Sequence, residues 1–163
     1  MAPSNSATAT GAHRLMASDL ASEPSFLIAR TRSLGSSQAN RRLAELDLRV
    51  RSYSVLSLAC GDTAPTQREL ADFLSLDPSQ IVALVDSLEG RGLVRREADP
   101  SDRRSKLVAA TPEGAKLYRK ARAATAAAED ETLSALDPAE RAEFQRLLIK
   151  AAFRSDVSSA GPG

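Results

Sequence analysis

The chain has 163 residues, a formal net charge of +1, 42% hydrophobic residues and only 4% aromatic residues. This composition suits one globular unit with an aliphatic core, and the near-neutral charge excludes a uniformly basic nucleic-acid binder. The single cysteine, Cys60, excludes an internal disulfide, and the single histidine, His13, makes a histidine-based metal site implausible. We therefore expect no cofactor.

Both ends of the chain are predicted to be disordered. Residues 1–19 are rich in Ala, Ser and Thr without the apolar run of a signal peptide, and residues 155–163 are rich in small and polar residues. No window approaches the ~18 apolar residues of a membrane span. A cytoplasmic protein without a membrane partner is expected.

The first ordered segments have helical patterns. Residues 24–46 predict a long helix that is weakened around Gly35, and residues 49–60 predict a second helix. Reciprocal capping boxes are predicted at TQRE, DPSQ and DPAE, which pair Thr66 with Glu69, Asp77 with Gln80, and Asp137 with Glu140. Thr111 before Pro112 predicts one further helix start.

Apolar spacing supports these helix starts. One stripe is expected at Leu70, Phe73 and Leu74, and a second stripe at Ile81, Leu84, Val85 and Leu88. The segments LVRRE (93–97) and KLVAA (106–110) predict strands that flank the loop DPSDRRSK (99–106). Helices over 112–133 and 138–153 complete the pattern.

This order predicts a mainly α fold with a small β-hairpin wing. Two helices, a short turn and a hairpin make residues 61–111 a winged helix-turn-helix, which suits a DNA-binding domain. Residues 20–60 and 112–154 are expected to form a separate helical region. The enzyme alternative is disfavoured, because the only histidine lies in a terminal segment.

The helix over 78–91 is the candidate recognition helix. Its outward face carries polar and small residues, which are Ser79, Gln80, Val82, Ala83, Asp86 and Ser87. Gln80 could pair with adenine, and Val82 and Ala83 suit thymine methyl groups. The alternative is that Gln80 only completes the helix cap and that Val82 is one more exposed apolar residue.

Charge is concentrated near the loop. Six basic and three acidic residues lie between Gly90 and Lys106, which gives this segment an excess of three positive charges. The whole chain has an excess of only one. An arginine at a wing tip can enter the minor groove, and Asp102 is suitably spaced to hold Arg104 there. The alternative is a solvated hairpin loop with incidental charge.

Residues 69–117, with DPSDRRSKLVAATPEG as their most specific part, resemble the MarR family of bacterial transcription regulators. The resemblance implies that Arg104 is the minor-groove arginine, that Asp102 orients it, and that Asp86 belongs to a wing or helix network. Val82 and Ala83 depart from the Thr-Arg pair that many members carry, and this departure leaves the operator sequence open.

The resemblance also implies a homodimer formed by the first and last two helices, which binds a pseudo-palindromic operator on double-stranded DNA. The candidate DNA-binding residues are Arg68, Ser79, Gln80, Val82, Ala83, Ser87, Arg95, Arg103, Arg104 and Lys106. A small aromatic or phenolic effector is expected in a cleft that Arg30 and Tyr53 could line. Cys60 is expected to be a small hydrophobe, with a redox role as the alternative.

These patterns favour a ligand-responsive repressor. Two alternatives stay open at this point. One is a winged-helix module that binds proteins without sequence-specific DNA binding, which the near-neutral charge and the missing recognition-helix arginine would suit. The other is a transcriptional activator of the same family.

Overall fold

The computed structural model describes residues 14–100, 102 and 105–153. Its helices are α1 (Pro24–Leu43), α2 (Val50–Ala59), α3 (Gln67–Leu74), α4 (Pro78–Gly90), α5 (Pro112–Thr132) and α6 (Pro138–Ala152), with 3-10 helices at Asp19–Ser22 and Ala44–Leu46. Strands β1 (Val94–Ala98) and β2 (Lys106–Ala110) pair between α4 and α5. This order confirms the predicted mainly α fold with a hairpin wing. We refer to residues 50–110 as the winged unit and to α1, α5 and α6 as the outer helices.

Side-chain caps start the helices at the predicted places, with one correction. Thr66 and Glu69 form a reciprocal box, as do Asp137 and Glu140. The predicted box between Asp77 and Gln80 is wrong. Asp77 instead accepts the backbone amide of Ser79 at 2.8 Å and the Ser79 hydroxyl at 2.5 Å. The serine hydroxyl therefore keeps this carboxylate at the second helical position.

The core of the fold lies inside and directly behind the winged unit. Its largest fully buried side chains are aliphatic, as the composition requires, and they are Leu43, Leu48, Val55, Leu56, Leu70, Ile81, Val85, Leu88, Val94 and Val108. α2 and the end of α1 thus share one core with α4 and the strands. The domain boundary predicted at residue 60 separates elements that pack together, and it stays a prediction.

The chain reverses from α4 into β1 at Gly92. Gly92 has a φ of +68°, its amide donates to Glu89 O at 2.8 Å, and the Leu93 amide donates to Leu88 O at 2.9 Å. These bonds form a Schellman motif, which satisfies the last carbonyls of the helix. Leu93 enters the core directly after it. Glycine is favoured here because other residues rarely adopt this left-handed backbone conformation.

A second glycine brings α5 against the wing. A Cβ on Gly114 would lie 1.9 Å from the carbonyl oxygen of Leu93. Thr111, the cap of α5, donates its backbone amide to the same oxygen at 3.0 Å and its hydroxyl to Gly92 O at 2.7 Å. The start of α5 is therefore fixed to the first residues of the hairpin by backbone contact.

The outer helices bury much less of their apolar surface. α1 runs unbroken through Gly35, so the weakness predicted around this residue is not observed. α6 contains no buried residue, although it carries Leu147, Leu148 and Ile149. Together with Leu27, Ile28 and Leu34 on α1, these side chains are 41–56% exposed. The protomer leaves an apolar surface on these helices.

Phe73 corrects the predicted stripe of α3. Its side chain is 60% exposed, while Ala71 takes the buried place beside Leu70. The Phe73 ring instead stacks on Phe153, which follows α6, with centroids 6.0 Å apart and planes at 28°. This pair connects the winged unit with the last outer helix. Among the described residues, no helix combines the length and apolar content needed to cross a bilayer.

Candidate nucleic-acid interface

α4 presents the exposed face that the sequence analysis predicted. Ile81, Val85 and Leu88 are buried in the core. The opposite side is exposed to solvent, and it carries Ser79, Gln80, Val82, Ala83, Asp86 and Ser87. The first residues of a recognition helix are those that reach base edges, and in α4 these residues lie on the exposed side.

Ser79 and Asp77 form a small polar site at the start of α4. The Ser79 hydroxyl and backbone amide lower the pKa of the Asp77 carboxyl, because both donate to its ionised form. Ser79 uses its hydroxyl proton in this bond, so it is left with lone pairs to offer a base amino group. The neighbouring Gln80 side chain does not join the cap and stays exposed.

The wing is a five-pair antiparallel hairpin that runs from Val94 opposite Ala110 to Ala98 opposite Lys106. At its tip the Asp99 amide donates to Ser105 O at 3.3 Å and the Ser105 amide to Asp102 O at 2.9 Å. Asp102 and Lys106 are exposed. Arg103 and Arg104 lie outside the described residues, so the proposed pairing of Asp102 with Arg104 stays a prediction.

Arg96 connects the wing to both helices of the helix-turn-helix. Its guanidinium pairs with Asp86 and Glu89 on α4 and donates to Gln67 Oε1 on α3 at 2.8 Å. Its backbone amide also donates to Glu89 Oε1 at 2.8 Å. Burial tends to lower the pKa of Arg96, but the bonds to Asp86 and Glu89 outweigh it and raise the pKa. This network fixes the wing beside the recognition helix.

The structure changes the meaning of the charge concentration near the loop. Two of the six bases, Arg91 and Arg96, direct their guanidinium groups to protein acceptors rather than outward. Arg95 is 57% exposed and pairs with Glu97 on its own strand. Sequence analysis did not identify Arg96 as the residue that binds α3 and α4. Strand alternation was the available signal, because it places neighbouring residues 95 and 96 on opposite faces of the hairpin.

Arg68 lies in the first turn of α3, and its side chain is 92% exposed. Its nearest ionic partner is Asp72, one helical turn along, at 3.9 Å. Such a loose exposed pair holds the guanidinium weakly, so Arg68 can turn toward a phosphate. Its neighbour Gln67 accepts from Arg96, so α3, α4 and the wing hairpin meet at the Arg96 side chain.

A groove of about 960 Å³ lies between the outer helices and α2. Its walls include Tyr53 of α2, Arg32 of α1, and Phe144 and Leu148 of α6. Arg30, which the sequence suggested beside Tyr53, does not line this groove and is exposed on α1. The reason is helical phase: a shift of two residues turns a side chain by about 200° around the helix. The Tyr53 ring also stacks on Tyr118 of α5, with centroids 6.0 Å apart.

Cys60 follows α2 and is partly buried. Burial raises the pKa of its thiol, and this effect outweighs the opposing influence of Arg119. A thiol with a raised pKa holds little thiolate at neutral pH, which favours the small-hydrophobe interpretation. The described part of the chain contains no cluster of three or more His, Cys, Asp or Glu residues that could hold a metal ion.

Comparison with known proteins agrees with the winged fold. The model of the MarR family matches residues 50–106, which is the winged unit almost to its end. A regulatory protein for the hcr operon of Thauera aromatica is 31% identical over 104 residues, which cover 64% of this chain and 62% of that protein. The match therefore spans less than two thirds of that relative's own length.

Two solved structures are similar over nearly their whole length. CouR from Rhodococcus jostii RHA1, bound to p-coumaroyl-CoA, is 43% identical, with a TM-score of 0.76 over 84% of this chain and 96% of that one. A mutant of MarR from Escherichia coli in complex with operator DNA is 27% identical, with a TM-score of 0.69 over 77% of this chain and 90% of that one.

Proposed function

We propose that this chain, which belongs to the MarR family of transcriptional regulators, binds a specific DNA sequence as a homodimer and acts as a ligand-responsive repressor. The carrying observation is the Arg96 network, because it holds a wing beside a helix whose N-terminal face is open. Proteins of this family regulate transcription and are not enzymes. The proposed place of action is the bacterial cytoplasm, where the DNA lies.

The bases would be read by the start of α4. Gln80 can donate to and accept from adenine, and Val82 and Ala83 offer apolar contact to thymine methyl groups. Ser79 and Ser87 are exposed hydroxyls at the two ends of this face. Arg68, which is exposed on the neighbouring helix α3, would contact a phosphate.

The wing would contact the adjacent minor groove. Arg104 is proposed to enter this groove with Asp102 as the carboxylate that orients it. Arg103, Arg95 and Lys106 would neutralise phosphates, since Lys106 and Arg95 are exposed on the hairpin. The +1 net charge of the whole chain does not oppose this role, because the DNA meets the local charge of this surface.

A homodimer would cover the apolar surface of the outer helices. Leu147, Leu148 and Ile149 on α6 are 41–53% exposed in one protomer. A two-fold pair buries such surfaces against each other and places two recognition helices about one DNA turn, ~34 Å, apart. We keep residues 20–60 and 112–154 as the proposed dimerisation region and 61–111 as the proposed DNA-binding domain.

The groove beside Tyr53 is the proposed effector site. Its volume of about 960 Å³ and its apolar walls suit a ligand with an aromatic part. Because CouR was solved with p-coumaroyl-CoA, an aromatic acyl thioester is the first ligand to test. Addition of p-coumaroyl-CoA should raise the thermal midpoint and release DNA, whereas free CoA, which lacks the aromatic acyl group, should do neither.

A mobility-shift assay tests the central proposal. Wild-type protein should bind the DNA that flanks its own gene in preference to a scrambled duplex, and this preference should persist across a salt series. Arg104→Ala should weaken binding about tenfold through loss of the minor-groove contact. Arg146→Ala is the matched control, because this exposed arginine pairs with Glu143 on its own helix.

If wild-type protein shows no preference over scrambled DNA at any salt concentration, the proposal is wrong and the protein-interaction module becomes the better interpretation. Transcription in vitro from the bound promoter separates repression from activation. A rise in transcript on adding the protein would identify the activator alternative.

A further inference from the structure

Arg91 forms a contact that the DNA-binding role does not use. It is the C-cap residue of α4, and its side chain reaches back across 44 positions of sequence. Arg91 Nη1 donates to the carbonyl oxygen of Asp47 at 2.6 Å, and Nη2 donates to that of Leu46 at 3.2 Å. One guanidinium thus binds two consecutive backbone carbonyls.

These two carbonyls belong to the end of a helix. The chain of α1 continues through the 3-10 turn Ala44–Leu46 and stops at Asp47, whose φ is +51°. The Asp47 amide donates to Ala44 O at 3.1 Å, and the Leu48 amide donates to Leu43 O at 3.0 Å. These are the bonds of a Schellman ending, and the carbonyls beyond them lack helical partners.

A positive charge is favourable at this place. The C-terminal end of a helix carries a partial negative charge, and a planar guanidinium can donate to two carbonyls at once. Arg91 therefore caps the end of α1 while it ends α4. We propose that Arg91 is a positioning residue that fixes the recognition helix α4 to the end of α1, and this inference rests on the proposed function in DNA binding.

The position of Arg91 along α4 argues against direct contact with bases. It lies 12 residues after Ser79, so about 18 Å separates it from the base-reading end along the helix axis. α1 also lines the groove through Thr31, Arg32 and Ala39, and the chain that follows it is bound by the Arg91 guanidinium. A shift of α1 would consequently reach the recognition helix through this guanidinium.

DNA binding across a salt series distinguishes positioning from phosphate contact. The full-length chain and its Arg91→Met and Arg91→Lys variants are titrated against the duplex that wild-type protein protects. Both variants should bind about fivefold more weakly, because neither can hold two carbonyls in one plane. The slope of log K against log salt should stay unchanged, whereas loss of a phosphate contact lowers it by about 0.9.

A readout without DNA keeps the inference testable by itself. Hydrogen exchange in the segment 43–50 should become faster in Arg91→Met, since the Asp47 and Leu48 amides lose the charge that stabilises the turn. Arg146→Met removes the same charge from a pair within α6, and it should alter neither the DNA affinity nor this exchange. Thermal unfolding of each variant shows whether the fold is kept.

Three results would overturn the positioning role. These are a reduced salt slope that Arg91→Lys restores, an unchanged DNA affinity, and an unchanged exchange rate in segment 43–50. Absence of any sequence preference in the wild-type protein would instead contradict the proposed function. The exchange experiment would then decide whether Arg91 binds the end of α1 in solution.

Discussion

The winged unit and the outer helices differ in how much of their apolar surface is buried within one protomer. In the winged unit α2, α3 and α4 each bury apolar side chains in the core, and Arg96 ties β1 to α3 and α4. In the outer helices α6 buries no residue, and its Leu147, Leu148 and Ile149 stay exposed. Within one protomer the winged unit therefore has a buried core, whereas the outer helices leave apolar surface exposed. The first region should respond to core substitutions, and the second to protein concentration.

The largest effect is expected from the core of the winged unit. Ile81 is fully buried on α4, so Ile81→Ala removes apolar contact and leaves a cavity. The free energy of unfolding should fall by about 3 kcal/mol. Chemical denaturation at two protein concentrations measures this loss.

Val82→Ala is the matched control for Ile81→Ala. It removes methyl groups from the next residue, whose side chain is 42% exposed, and it should change the free energy of unfolding by less than about 0.5 kcal/mol. Equal losses in the two variants would contradict the packing of α4 described above.

Leu148→Glu tests the incomplete region. A carboxylate in the apolar surface of α6 would be buried on dimerisation without a partner, so association should weaken by about 2 kcal/mol, or roughly 30-fold in the dissociation constant. Light scattering across a dilution series measures the dimer fraction. Lys150→Glu, which also adds negative charge to α6 but at an exposed polar position, is the comparison. A dimer unaffected by Leu148→Glu would locate the interface elsewhere.

The network around Arg96 separates internal arginines from those that face solvent. The Arg96 side chain is only 22% exposed and serves acceptors on α3 and α4. Arg96→Met should lower the free energy of unfolding by about 1.5 kcal/mol, because Asp86 and Glu89 lose their shared partner. Arg95→Met, one residue earlier and 57% exposed, should lower it by less than about 0.5 kcal/mol. Urea denaturation of both variants checks this difference.

Arg91 and Arg96 also show what sequence analysis could not predict. Caps, apolar spacing and turn residues predicted the helices and strands, because each of these signals lies within a few neighbouring residues. The caps at Thr66 and Asp137 are examples. Counting charges treated Arg91, Arg95 and Arg96 as equivalent. Only the folded chain places Arg96 over Asp86 and Arg91 over the end of α1. Partners 10 and 44 positions away leave no local pattern.

The same limit explains Phe73 and Gln80. Phe73 has the spacing of a core residue, yet its ring is exposed and meets Phe153 from the far end of the chain. Gln80 has the spacing of a capping box, yet the Ser79 hydroxyl occupies the Asp77 carboxylate. In both cases a contact that spacing does not encode decides the outcome.

Phe73 and Phe153 offer a direct measure of coupling between the two regions. Offset aromatic pairs contribute about 0.5–1.5 kcal/mol beyond their burial. A double-mutant cycle with Phe73→Leu and Phe153→Leu should therefore give a coupling energy of about 0.5 kcal/mol. Additive losses in chemical denaturation would show that α6 and α3 are independent in solution.

The smallest expected effect is the pH response of one helix cap in the winged unit. The Thr66 backbone amide, followed by its hydroxyl, lowers the pKa of Glu69. A carboxyl with a lowered pKa in the fold stabilises it fully above its ordinary pKa of about 4.3, and this contribution is lost as the pH falls through the lowered value. As the pH falls from about 5 to about 3, the start of α3 should fray, seen as faster local exchange of the Glu69 amide.

Glu69→Gln makes this last comparison specific. The glutamine amide keeps an oxygen that can accept from Thr66, but it does not titrate. The variant should begin with a slightly weaker cap, because a neutral acceptor binds less strongly than a carboxylate. The protection that remains should then stay nearly constant down to about pH 3, after correction for the intrinsic exchange rate. An equal pH response in both proteins would assign the fraying to other carboxyls, with Asp77 at the neighbouring cap of α4 as the next to examine.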